Sequence, residues 1–263
     1  MGDFTLIVYR NLLETLVSQK YSFITFSNYL GKNKNIDISS KIILRHDVEE
    51  KYENALQFAQ IQNELGVLGT YFFRILPKYF NPEIVKQIAE LGHEVGYHYD
   101  DLTKCKGNHN KAILRFEKNL NILRKIAPIQ TICMDGSPLS SYDNKDLWSH
   151  YNYNDYGILG EPYFDIEFDE IFYLTDTGRR WDGWKTSVRD KVPQQEDWIK
   201  QGLIFHSTED IINAIQKNYL PNQVLFTMHP QRWHNKSIPW LKELVLQNVK
   251  NQIKIIIIRN KLK

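Results

Sequence analysis

A chain of 263 residues that is 42% hydrophobic and 24% charged is globular rather than disordered and long enough to bury a sizeable core. Its net charge of +2 gives no strong pull toward nucleic acid, although the ending Arg259-Asn260-Lys261-Leu262-Lys263 is locally basic. No stretch approaches the roughly 20 apolar residues of a membrane helix, the start carries no basic leader or myristoylation pattern, and Cys105 and Cys133 form no CxxC pair; a cytoplasmic protein with two buried thiols is expected.

Tyr9, Leu12, Leu13 and Leu16 recur at helical spacing and predict an N-terminal helix within a lead-in over residues 1–40. Lys41-Ile42-Ile43-Leu44 is a short apolar run that ends in charge, as a buried strand does at the rim of a sheet. Ala55, Phe58 and Ala59 line a helix that Gly66 can close. Gly69–Ile75 reads as an aromatic strand. Asn81-Pro82 opens a helix as cap and first-turn proline, and Gly92 ends it. His93–Tyr99 is the next strand, Ile113, Phe116, Leu120 and Leu123 mark a longer helix, and Gln130–Met134 is another strand.

This alternation predicts a parallel sheet or barrel with working residues at the C-terminal ends of its strands. Residues 136–193 break the rhythm as a long insertion rich in Tyr and Trp, expected to line or cover the site. Ser207-Thr208-Glu209-Asp210 starts a further helix, Val224–Met228 is a late strand, and Leu241, Leu244, Val245 and Val249 mark a final helix. Ile255–Ile258 reads as a last strand or a packed tail.

The chemistry gathers at strand ends. In extended chain Arg45, Asp47 and Glu49 share one face, opposite His46 and Val48. Two carboxylates on one face call for a bound metal, a paired arginine or both; the competing reading is a helix-capping Asp47 and a solvated Glu49. Asp100 and Asp101 read first as turn or helix caps. Asp135, before Gly136, is either a turn residue or a site residue, and His229 either structural or functional. Arg179, Arg180 and Trp181 suit a sugar or a phosphate, or the arginines pair with neighbouring acids such as Asp176 and Asp182. His46 and His93 read as supporting residues.

These motifs, in order from Arg45 to Trp233, resemble the polysaccharide deacetylase superfamily (NodB homology, carbohydrate esterase family 4), and within it the cytoplasmic WbmS-like branch of surface-polysaccharide biosynthesis. The resemblance implies an α/β fold, a distorted (β/α)7 barrel in one domain spanning 1–263. It implies Asp47 as general base and Glu49 as metal ligand, where the family normally has Asp. In Gly92-His93-Glu94-Val95-Gly96-Tyr97-His98 the last residue matches the first metal histidine, whereas Leu102 replaces the second. The third ligand then falls to Asp135, with Asp101 as the alternative. Phe226-Thr227-Met228-His229-Pro230 places His229 as general acid. Arg45, Tyr97, Arg179, Arg180 and Trp181 are the expected substrate contacts.

The implied activity is divalent-metal-dependent, most simply Zn2+-dependent, removal of an N-acetyl group from a nucleotide- or lipid-linked sugar. A catalytically silent sugar binder is the rival from another class, and a deformylase or cyclic amidase the rival within the hydrolases.

Overall fold

A computed structural model of the protein describes residues 2–31, 40–185 and 187–261. Leu262 and Lys263 of the basic ending lie outside the described residues, as does 32–39 of the lead-in. In chain order the elements begin with α1 (Leu6–Ser18), β1 (Ser22–Ile24), α2 (Phe26–Leu30), β2 (Lys41–Val48), α3 (Tyr52–Glu64) and β3 (Thr70–Phe73). There follow α4 (Pro82–Glu90), β4 (Glu94–Tyr99), α5 (Asp101–Lys104), α6 (His109–Arg124), β5 (Ile132–Met134), α7 (Pro162–Asp165) and β6 (Phe172–Thr175). The last are α8 (Gln195–Lys200), α9 (Thr208–Gln216), β7 (Gln223–Met228) and α10 (Ser237–Lys261).

Among the described residues all strand pairings are parallel, in a 7-stranded sheet of order β5-β4-β3-β2-β7-β6 with β1 against the first half of β2. This is the expected distorted (β/α)7 barrel. Among the described residues β5 and β6 do not pair; an isolated bridge, Thr131 to Gly160, ties β5's leading edge to the segment between them.

The local signals explain why these elements form. Tyr9, Leu12, Leu13 and Leu16 are the buried face of α1. Asn81 caps α4, its side chain accepting from the amides of Glu83 and Ile84, with Pro82 at the first turn. Ser207 and Asp210 form a reciprocal capping box on α9. Gly92 takes φ +88°, a conformation that suits glycine after a helix. Within β4, a Cβ on Gly96 would meet the Phe72 ring at 2.4 Å and the Thr131 carbonyl at 2.9 Å, so the strand can pack there only as glycine.

The structure departs from the reading of sequence in three places. The stretch 136–193 is not wholly an insertion, because Phe172–Thr175 is a strand of the sheet, paired along its length with β7. Ser22–Ile24 adds a short strand whose residues are only half-buried, too weak a pattern to stand out. Ile255–Ile258 belongs to α10 rather than to a strand. No helix among the described residues is long and apolar enough to cross a membrane.

Candidate active site

The sheet's register assembles the site. Val48 pairs with Phe73 and Phe73 with Tyr97; continuing that parallel register by one residue sets Glu49, Arg74 and His98 abreast at the C-terminal rim. His98 pairs in turn with Cys133, which brings Asp135 beside the same row. On the other side His46 pairs with Met228, so His229 follows next to Asp47. A cavity of about 560 Å³ opens over these strand ends, bordered by Asp47, Glu49, Arg74, His98, Asp135 and His229.

Alternation along β2 sorts its side chains as expected. Arg45 and Asp47 point to the cavity and form a two-bonded pair, Nε to Oδ1 at 2.9 Å and Nη2 to Oδ2 at 2.7 Å. Burial alone would push Asp47 up, but the Arg45 guanidinium, helped by His98, holds it well below the usual carboxylate range. His46 faces the opposite way into the core, where Nδ1 donates to the Thr70 carbonyl at 3.2 Å and Nε2 sits 3.3 Å from both Tyr9 Oη and Gln62 Nε2. Burial pushes it down to about 3, so it is a neutral structural histidine. His93 is likewise structural, donating from Nε2 to the Ala59 carbonyl at 3.0 Å.

His98 donates from Nδ1 to the Cys133 carbonyl at 3.0 Å, which fixes its tautomer and leaves the Nε2 lone pair free, 3.8 Å from Asp135 Oδ2. Glu49, His98 and Asp135 can each offer a ligand atom within 4.8 Å of the others. That donor set, two carboxylates and an oriented imidazole open to a cavity, fits a divalent ion. A second set, Asp47, His98 and Cys133, meets the same distance limit. It is the poorer one, because burial pushes the Cys133 thiol well up and Cys133 does not border the cavity. Leu102 is buried in the core and contributes no donor.

Two residues central to this geometry were not singled out as site residues in the sequence. Arg74 reaches Asp100 at 2.6 Å, Asp135 at 3.1 Å and Glu49 at 4.0 Å. With His98 it holds Asp135 below its usual range against the upward push of burial. Asp176, directly after β6, accepts from His229 twice, from the backbone amide at 3.0 Å and from Nδ1 at 2.5 Å, and from Trp233 Nε1 at 2.7 Å. Burial pushes Asp176 up, but His229 and Arg232 bring it below its ordinary value. The signal for Arg74 was a lone cation at the end of an aromatic strand; for Asp176 it was an acid directly after a strand that the reading had merged into the insertion.

Several expected contacts lie elsewhere. Tyr97 is buried away from the cavity, donating to Asp101 Oδ2 at 2.8 Å and accepting from Asn119 at 2.8 Å. Asp101 is enclosed with it and with Arg115, so it is no alternative ligand. Asp100 makes no side-chain cap and serves Arg74 and Arg115 instead. Arg179 donates to the Trp240 carbonyl at 3.0 Å and stacks on the Trp240 ring. Arg180 pairs with Asp182, and Trp181 is buried with Nε1 on Thr208 Oγ1 at 2.9 Å. Of the five expected substrate contacts, Arg45 alone borders the cavity. The segment 136–193 supplies the cavity with other residues, among them Ser137, Tyr163, Arg189 and Asp190. Arg189 pins the loop after β5 by donating to the carbonyls of Gly136, Ser137 and Ser140 at 2.6–2.8 Å.

Comparison with known proteins finds similarity in structure only. Neither a scan against protein-family profiles nor a search of curated proteins gives a match. Among solved structures, the chain is similar to the catalytic domain of a peptidoglycan N-acetylglucosamine deacetylase from Eubacterium rectale, at 15% identity and TM-score 0.45 over 81% of this chain and 86% of that one. A carbohydrate esterase family 4 (CE4) esterase from Streptococcus mutans is similar at 13% identity and TM-score 0.44, covering 90% of each chain. A mutant, with restored enzymatic activity, of a CE4 family pseudoenzyme from Bacillus anthracis is similar at 13% identity and TM-score 0.45, and the chain spans 62% of its length. At these identities and scores no residue role passes from those proteins to this one.

Proposed function

We propose that this protein is a metal-dependent hydrolase that removes an N-acetyl group from a sugar intermediate of surface-polysaccharide biosynthesis. The supporting observation is the convergence on one cavity of the Glu49, His98 and Asp135 donor set with Asp47 on one side and His229 on the other. In this reading those three residues hold the divalent ion, zinc being suited to imidazole and carboxylate together. The ion supplies Lewis acidity toward the acyl carbonyl and toward water.

The chain's own groups then divide the proton work. Asp47, held well below the usual carboxylate range and fixed in orientation by Arg45, would accept a proton by position rather than by strong basicity. His229, with Nδ1 tied to Asp176, presents Nε2 and can pass a proton to the leaving amine. The cavity volume falls within the usual span for small-molecule sites, about 300–1,000 Å³, enough for a sugar with part of its nucleotide or lipid linkage. The cytoplasmic setting and the WbmS-like branch belong to the same proposal.

One observation favours a second reading. The Arg74 guanidinium already lies against Asp135 and close to Glu49, and a built-in cation can balance these acids in a silent sugar-binding protein.

Elemental analysis of untagged protein separates the two. The hydrolase should carry about one zinc or similar ion per chain, lost in His98→Ala, and should release acetate from acetylated amino sugars in a reaction that Asp47→Asn abolishes. Absence of metal after reconstitution overturns the hydrolase and leaves the sugar binder. Formylated sugars and cyclic amides assayed in parallel decide between deacetylation and another C–N hydrolysis.

A further inference from the structure

Helix α10 is amphipathic in the reverse sense for a surface helix. Its polar residues Glu243, Gln247 and Asn251 are only 5–6% exposed. Glu243 accepts from Lys51 at 3.0 Å and from Gln247 at 2.8 Å, and Asn251 donates to the Gly178 carbonyl at 2.9 Å. Its outward stripe is apolar: Ile238, Leu241, Val245, Val249, Ile253 and Ile256 recur every three or four residues and are 46–82% exposed. A stripe of that length is more than the scattered apolar residues any surface carries.

The charge around the stripe selects what covers it. Among the described residues the exposed charges beside the stripe are Lys236, Lys242 and Lys250, while Lys254 turns into the cavity lining and the single acid from Lys242 onward, Glu243, is buried and paired with Lys51. Two copies packed stripe to stripe would bring Lys242 and its neighbours against their own kind, which disfavours self-association. An apolar face bordered by lysines is the pattern that enters the headgroup region of an anionic bilayer.

The cavity supports the same orientation. Ile253 belongs both to the stripe and to the cavity lining, and Leu139, also lining the cavity, is 79% exposed at its mouth. The site therefore opens beside the apolar face.

We propose that α10 docks this protein on an anionic membrane surface, apolar stripe down, with the cavity mouth at the lipid headgroups. The docking deepens the proposed function, because a lipid-linked sugar would reach the site without leaving the bilayer, yet it does not depend on catalysis.

Co-sedimentation with vesicles tests it, using phosphatidylcholine alone or mixed with about one-third phosphatidylglycerol. The wild-type protein should bind the anionic vesicles at least about tenfold better than the neutral ones and release them as salt is raised. The double variant Val245→Glu/Val249→Glu should lose binding, and Lys236→Glu/Lys242→Glu should weaken it about tenfold. All four positions are exposed, and circular dichroism confirms that the variants are folded. Asp47→Asn should bind as wild type does, so failure of docking and failure of the hydrolase reading are separable. Equal binding by the valine variant, absence of binding to either vesicle, or a wild-type dimer in sedimentation velocity that the valine variant converts to monomer would each overturn the proposal.

Discussion

The two walls of the cavity are built on different principles. The wall formed by the ends of β2 to β5 carries Asp47, Glu49 and Asp135, with Arg45, Arg74 and His98 set among them and Asp100 behind Arg74. The wall formed by β6 and β7 presents His229, which rests on the buried Asp176 behind it; the Asp176 oxygens accept from His229, Trp233 and Arg232. The second wall is a closed network, so its imidazole has a single orientation. The first wall holds its carboxylates together by cations, one of which, Arg74, is placed where an added ion would compete with it.

That contrast predicts unequal sensitivity. Asp176→Asn removes the charge that orients His229 while keeping the shape of the side chain. In the hydrolase reading kcat should fall about a hundredfold or more with little change in KM and no loss of metal, checked by steady-state kinetics and elemental analysis. An unchanged kcat would show that the closed network is merely structural.

Arg74→Met probes the other wall. It leaves Asp100, Asp135 and Glu49 short of a cation, so the metal-free protein should lose about 3 kcal/mol in denaturant unfolding. Zinc should bind about tenfold more tightly by calorimetric titration, since each tenfold is about 1.4 kcal/mol of relieved competition. Weaker binding would mean instead that Arg74 holds the acids in place for the ion.

How much of this was legible follows from which signals are local. The rim positions of Asp47, Glu49, His98, Asp135 and His229 were readable because each lies at or just past the C-terminal end of a short strand, and a parallel sheet brings such ends together whatever its strand order. The separation of His46 from Asp47 was readable from the two-residue period alone. Arg74 was not, because an arginine in an aromatic strand reads as part of the strand until three acids from elsewhere converge on it. The partnership of Asp176 with His229 depends on β6 pairing with β7, and β6 is a four-residue strand inside an irregular stretch. Arg179 and Trp181 misled because a polar, aromatic cluster resembles a binding surface; in the fold Arg179 stacks on Trp240 and Trp181 enters the core. The periodicity of α10 gave the helix but not which face turns inward, since a cavity can draw in the polar side.

The smallest expected effect concerns Glu161, which lies behind the first wall and joins it to α7. Its carboxyl is fully buried, accepting from the amides of Met134 at 3.0 Å and Tyr163 at 2.6 Å. Burial pushes it up to about 7, whereas in the unfolded chain it titrates near 4.3. Between those values the folded protein holds a proton that the unfolded chain has released, so this group makes stability fall as pH rises, by up to about 1.4 kcal/mol per pH unit, and adds nothing further above about pH 7. Asp47, Asp135 and Asp176 act in the opposite sense. Held below their unfolded values, they stabilise above about pH 4, and that contribution is lost as pH falls through their folded values. Urea unfolding of Glu161→Gln should therefore show a flatter slope than wild type between about pH 5 and pH 7, by about 1 kcal/mol per unit, with no change in the acid limb that the three aspartates set. A slope equal to that of wild type would mean that the two amides and the nearby Arg45 keep Glu161 ionised, and that the first wall carries one more negative charge than its cations balance.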